Sequence, residues 1–184
     1  MGRNDEGFTL IEVVVAVAVG LSLLAAWAAV QTATDRAQRG ARRLTLATLL
    51  ARSKLDQLEA LTFRSTVTGD VVADETDRST NLAMASPASG GGGLTATSVA
   101  TLLEDVAGSV DYFDEEGTWV GGSGVRPARA AFVRRWAVTE LPGTAGLSLL
   151  FEVRVADAHK APGLQPSSTD DVWLVAARPR TLEQ

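Results

Sequence analysis

The sequence predicts an α+β chain in which one long N-terminal helix, with a membrane-spanning first half and an amphipathic second half, precedes a small antiparallel sheet of about four or five strands. Three observations predict it. Residues 8–30 form an apolar run that contains a single ionisable side chain, Glu12. Residues 31–63 continue without a proline, with Leu44, Ala47, Ala51, Leu55, Leu58 and Leu61 recurring at steps of three and four. From residue 110 onward the apolar period becomes two and glycine-bearing turns separate the runs.

A helix through residues 8–30 rises about 34 Å, enough to cross a hydrocarbon layer of about 30 Å. Placing a charge at the centre of such a span costs about 2.5–3.5 kcal/mol, so Glu12 calls for an explanation. No Lys, Arg or His lies between residues 8 and 30, and a cationic partner must come from outside the span. The residues alone leave two readings open. Glu12 is either a headgroup-hydrated charge at a helix start, favoured there by the helix dipole, or a group that waits for a partner.

The stretch Gly7-Phe8-Thr9-Leu10-Ile11-Glu12-Val13 resembles the N-terminal signature of type IV prepilins and type II secretion pseudopilins. The resemblance implies that a membrane prepilin peptidase cuts after Gly7 and that the new N-terminal residue, Phe8, is methylated. It also implies an assembly role for Glu12, whose carboxylate would neutralise the Phe8 amine of a neighbouring subunit in the filament. An ion pair made only on assembly fixes register, because an unpaired charge in an apolar bundle is strongly penalised. Residues 1–7 are too short and polar for an ordinary secretory signal, and the apolar segment follows the cut and is retained. Leaders in this family are usually basic, whereas here Arg3 is outnumbered by Asp5 and Glu6.

Orientation sets two rules against each other. Arg36, Arg39, Arg42 and Arg43 follow the span, which by the positive-inside rule puts the C-terminal side in the cytoplasm. The family resemblance implies the reverse: an inner-membrane subunit with a periplasmic C-terminal domain that later enters a pilus or pseudopilus.

Residues 8–63 read as one continuous helix, with Gly20 and Gly40 as weak points. Arg43, Arg52, Asp56 and Glu59 fall largely off its apolar face. The region 64–109 is poorly patterned. It contains the polar residues Asp74, Glu75, Asp77 and Arg78 and a Ser/Gly-rich run at 87–93, and reads as a variable loop that either contacts partners or is a disordered connection. A short helix at 98–107 would turn Leu102, Leu103 and Val106 inward.

Residues 110–113 and 118–120, joined by Asp114-Glu115-Glu116-Gly117, read as a hairpin. Strands are expected at 131–141, with one mixed face, and at 147–156, with Leu149, Phe151, Val153 and Val155 inward and Glu152 and Arg154 outward. Pro142-Gly143 marks the turn between them, and a last strand at 172–177 ends before Pro179. The expected organisation is therefore a cleaved leader at 1–7, a transmembrane and filament-core helix at 8–30, its amphipathic continuation at 31–63, a variable region at 64–109 and a β domain at 110–184. This layout is similar to that of pilins. Residues 52–63 and 132–138 also look like V-type minor pilins and I-type minor pseudopilins.

Composition narrows the function. With 17 Lys plus Arg against 22 Asp plus Glu, the 184-residue chain has a formal charge of −5, which argues against nucleic acid as a main partner. The absence of cysteine excludes disulfides and thiolate chemistry, and 46% hydrophobic residues provide for a core without them. Many major pilins close a C-terminal loop with a disulfide, so the resemblance is closer to minor subunits.

Nothing in the chain points to an enzyme or a cofactor. His159, the single histidine, lies in a polar loop and is expected at the surface. The carboxylates at Asp114, Glu115 and Glu116 and at Asp170 and Asp171 lack calcium-ligand spacing and read as solvated turns, so no metal is expected. Glycines 90–93 lack the Lys and Ser/Thr of a phosphate loop. Trp27 sits where an interfacial anchor belongs, and Trp119, Trp136 and Trp173 fall in strands as core residues. The first reading is a minor pilin-like subunit whose partners are prepilin peptidase, the inner membrane and other minor and major pilins. The second is a membrane-anchored binding module or adhesin that never polymerises.

Overall fold

The computed structural model describes residues 9–74, 92–160 and 171–182. The expected leader, Gly7 included, and Phe8 after it lie outside them, as do Asp170 and most of the Ser/Gly-rich run. The chain divides into two compact units, Met1–Arg42 and Arg43–Gln184. Helix α1, Leu10–Ala60, contributes its first part to one unit and its last part to the other.

In the first unit α1 runs unbroken through Gly20 and Gly40. Its large apolar side chains are exposed, from Leu10 at 85% to Val30 at 61%. Its hydroxyls are satisfied within the helix: Ser22 Oγ donates to the Ala18 carbonyl at 2.8 Å and Thr34 Oγ1 to that of Val30 at 2.9 Å. Such internal pairing suits a helix in hydrocarbon, where no water can serve these groups.

In the second unit α1 buries Ala47, Leu50, Ala51, Lys54, Leu55 and Leu58. The expected face is present but rotated slightly, because Leu44 remains 42% exposed while Leu50 and Lys54 join the core. Lys54 is buried with its Nζ 3.9 Å from the centroid of the Trp136 ring, in cation–π geometry.

The helix ends at Ala60, three residues before the sequence reading placed its end. The cause is competition for its last hydrogen-bonding groups. Asp74 Oδ2 accepts the Thr62 N–H at 2.7 Å, a donor that would otherwise continue the helix to the Leu58 carbonyl. Arg178 Nη1 donates to the carbonyls of Leu58 and Leu61. Because the last turn carries no basic residue of its own, a distant arginine supplies the charge that the C-terminal dipole favours.

Phe63 therefore opens a strand. Strands β1 (Phe63–Ser65) and β2 (Val71–Ala73) pair antiparallel, while β3 (Val110–Phe113), β4 (Trp119–Gly121), β5 (Phe132–Glu140), β6 (Ser148–Asp157) and β7 (Val172–Pro179) form a five-stranded antiparallel sheet in the order β4-β3-β5-β6-β7. The hairpin and the later strands thus fall where the period of two placed them. A final strand, β8 (Thr181–Leu182), runs parallel to β1 and completes a second sheet in the order β2-β1-β8 that the sequence reading lacked. The expected short helix is only a 3-10 turn at Val99–Leu102, with Ser98 Oγ capping the Ala100 N–H and Val106 left at the surface.

The core of the second unit lies between α1 and one face of the five-stranded sheet. Leu55 and Leu58 meet Phe132, Trp136, Phe151 and Val153 there. Burying each such side chain contributes about 1.5–3 kcal/mol. The opposite face holds a smaller cluster of Val110, Tyr112, Val133 and Ala156. Residues 131–138 are consequently buried on both faces, so β5 is the centre of the unit and not a half-exposed strand.

Candidate functional site

The candidate site is the start of α1. Thr9 stands just before the first helical residue, and its backbone N–H and Oγ1 both donate to Glu12 Oε2 at 2.9 Å. In return the Glu12 N–H reaches Thr9 Oγ1 at 3.4 Å. Ser/Thr-x-x-Glu at a helix start is a capping box: it satisfies N–H groups that the first turn leaves without a partner, and it places a negative charge at the positive end of the dipole. Sequence reasoning missed Thr9, although Thr9-x-x-Glu12 at the head of an apolar run carries the signal.

Around this polar pair the surface is apolar and exposed. Leu10, Ile11, Val13 and Val14 are 85, 71, 52 and 58% exposed. Glu12 is itself exposed and is the one acidic residue of the first turn. Among the described residues α1 is the one helix long and apolar enough to cross a membrane. Trp27, 63% exposed, lies toward the far end of the apolar stretch.

Beyond it the helix becomes cationic. Arg36, Arg39 and Arg42 are exposed, and Arg39 Nε donates to the Asp35 carbonyl at 3.2 Å. Arg43 belongs to the second unit, where it pairs with Asp157 at 2.9 Å and covers the Phe132 ring.

Several other ionisable groups of the second unit hold its elements together. Arg134 on β5 reaches Asp111 on β3 through Nε at 3.2 Å and Nη2 at 2.6 Å, and its Nη1 donates to the Leu50 carbonyl and to Ser53 Oγ on α1. Asp111 Oδ1 accepts the Trp119 indole N–H at 3.0 Å, so both carboxylate oxygens are used. The pair is almost wholly buried, the setting in which removing one partner is costly.

Arg154, expected to face outward, is buried against Asp171 at 3.0 Å, and Asp171 is consequently no solvated turn residue. The Asp105 carboxyl is drawn below the usual carboxylate range: burial raises it, but hydrogen bonding and charge from Arg135, helped by Arg126, outweigh that. Burial, together with nearby Asp105, pushes the Tyr112 hydroxyl up to about 12. His159 is exposed, and Glu115 and Glu116 lie at the surface. Among the described residues no cluster of three or more potential metal ligands occurs.

Residues 2–28 match the family model described as the prokaryotic N-terminal methylation motif. The matched segment contains Gly7, Phe8, Thr9 and Glu12. No curated protein and no solved structure matches the chain. The match supports a type IV pilin-like or pseudopilin subunit. It agrees with the α+β, pilin-like architecture of a long N-terminal helix and an antiparallel sheet. A prepilin-type motif implies processing by prepilin peptidase and assembly into a pilin filament, and with the apolar helix it is consistent with inner-membrane anchoring before assembly.

Proposed function

We propose that the chain is a minor subunit of a type IV pilus or related pseudopilus, which joins other minor and major pilins to prime or cap the filament. Prepilin peptidase cuts between Gly7 and Phe8, Phe8 is methylated, and Glu12 pairs with the Phe8 amine of a neighbouring subunit while the exposed apolar surface of α1 packs against other helices. One observation carries this reading. The matched motif opens a helix whose large apolar side chains over residues 10–30 are exposed, with Glu12 the single carboxylate in that stretch.

Thr9 provides the chemistry for a subunit awaiting assembly. Its N–H and Oγ1 hold the Glu12 carboxylate in the absence of a neighbour, and a cationic amine offers a stronger, charge-assisted partner. The same capping box favours a second reading, because it explains Glu12 locally and a membrane-anchored binding module that never polymerises needs nothing more.

Processing is tested by mass spectrometry of the chain from cells with active prepilin peptidase. The expected species begins at methylated Phe8, and Gly7 substitution blocks its formation. A chain that still begins at Met1 in those cells contradicts the proposal.

A further inference from the structure

We infer that Arg36, Arg39 and Arg42 form a docking strip for the phosphate headgroups of anionic lipids where α1 leaves the membrane; the inference rests on residues 10–30 spanning the bilayer. Asp35 is the only acidic residue between Glu12 and Asp56, so this stretch is strongly cationic within a chain of formal charge −5. At about 100° per residue the three arginines occupy an arc of about 120° on one side of the helix. All three are exposed, and the side chains of Arg36 and Arg42 have no intrachain hydrogen-bond or ion-pair partner among the described residues. Arg39 uses only its Nε, on the Asp35 carbonyl, which leaves its terminal nitrogens available.

Height along the helix fits the same partner. Arg36 stands about 9 Å beyond Val30 and Arg42 about 18 Å, a range that begins at the headgroup layer of a bilayer whose apolar core ends near Val30. Arg36 and Arg39 snorkel back along the helix to reach that layer, where a guanidinium binds phosphate through two parallel N–H donors, while Arg42, farther out, adds longer-range attraction to the anionic surface. Asp35 lies on the same arc and offsets one of the three charges. The nearby hydroxyls of Thr32 and Thr34 are occupied by the Ala29 and Val30 carbonyls, so the arginines are the charged donors of this stretch.

The full-length chain is reconstituted into bilayer discs of equal parts phosphatidylcholine and phosphatidylglycerol, and retained lipids are counted by native mass spectrometry. Preference for phosphatidylglycerol is expected to fall by about five-fold per arginine removed, reaching little or none in R36Q/R39Q/R42Q. It should survive largely in R36K/R39K/R42K, weaken with salt, and be unchanged in R52Q, whose arginine pairs with Asp56 elsewhere on the helix. Equal retention of the two lipids by the unaltered chain, or undiminished preference in the triple glutamine variant, overturns the proposal. Filament incorporation lost in that variant with lipid preference intact also overturns it, and assigns the strip to acidic groups of a neighbouring subunit. Carbonate extraction from pure phosphatidylcholine vesicles reads the span separately. A chain that is washed off contradicts the span, whereas one that stays but shows no lipid preference contradicts only the docking strip.

Discussion

Over residues 10–30, α1 leaves Leu10, Leu21, Leu24 and Trp27 more than half exposed, whereas over residues 43–60 the same helix buries Leu50, Leu55 and Leu58 against a sheet. The charges differ in the same sense. Glu12 is held by its own first turn, while Arg134 is held by a strand and a helix far apart in sequence. One part of the helix leaves its large apolar side chains uncovered among the described residues. The other is complete within its own unit, so the two parts should respond oppositely to substitution.

The largest contrast is at the charged groups. Arg134→Met leaves Asp111 buried without its cation and should destabilise the second unit by about 3–5 kcal/mol, measured as urea unfolding of the full chain followed by tryptophan fluorescence. Unaltered unfolding would mean that the pair is not buried as described. Next come the apolar residues. Leu58→Ala should cost about 2–5 kcal/mol in the same measurement. Leu23→Ala, at a position 66% exposed, should leave that unfolding unchanged while weakening whatever the first unit assembles with.

A backbone effect of intermediate size is expected at Gly124. Its φ is +81°, and a Cβ there would lie 2.8 Å from the Asp105 carbonyl oxygen. Gly124→Ala should therefore cost about 1–3 kcal/mol, read as a lowered thermal midpoint. Gly20→Ala meets nothing within 4 Å and should not lower it.

The smallest effect is the dependence on pH. Asp105 titrates below its ordinary value of 3.8 in the folded chain, so its contribution is present above that value and is lost as pH falls through the lower folded one. Tyr112 is raised from 10.0 to about 12, so its contribution is intact below pH 10 and disappears as pH rises toward 12. The thermal midpoint of the second unit should be nearly flat between these limits and decline outside them. A decline centred near neutrality would contradict the assignment.

Periodicity made most of this fold legible in the sequence. The long helix, the hairpin around Gly117 and the strands β5, β6 and β7 all follow from local spacing of apolar residues. What escaped it depends on distant groups. The helix stops at Ala60 because Asp74 and Arg178 take its last hydrogen-bonding partners, and β8 is two residues whose pairing with β1 spans most of the chain. Arg154 reads as an outward residue until Asp171 neutralises it, and Arg134 sits on a mixed face until Asp111 does the same. At the candidate site the motif gave Glu12, while Thr9 needed the recognition that a threonine three residues earlier completes a cap.

Glu12 is proposed to serve assembly and not the fold. Its direct test is Glu12→Ala in cells that build the filament, with processing read by mass spectrometry and incorporation by immunoblot of sheared filaments. The expected outcome is a normally processed subunit with an unaltered second unit that is absent from the filaments. Incorporation at the level of the unaltered chain would contradict it.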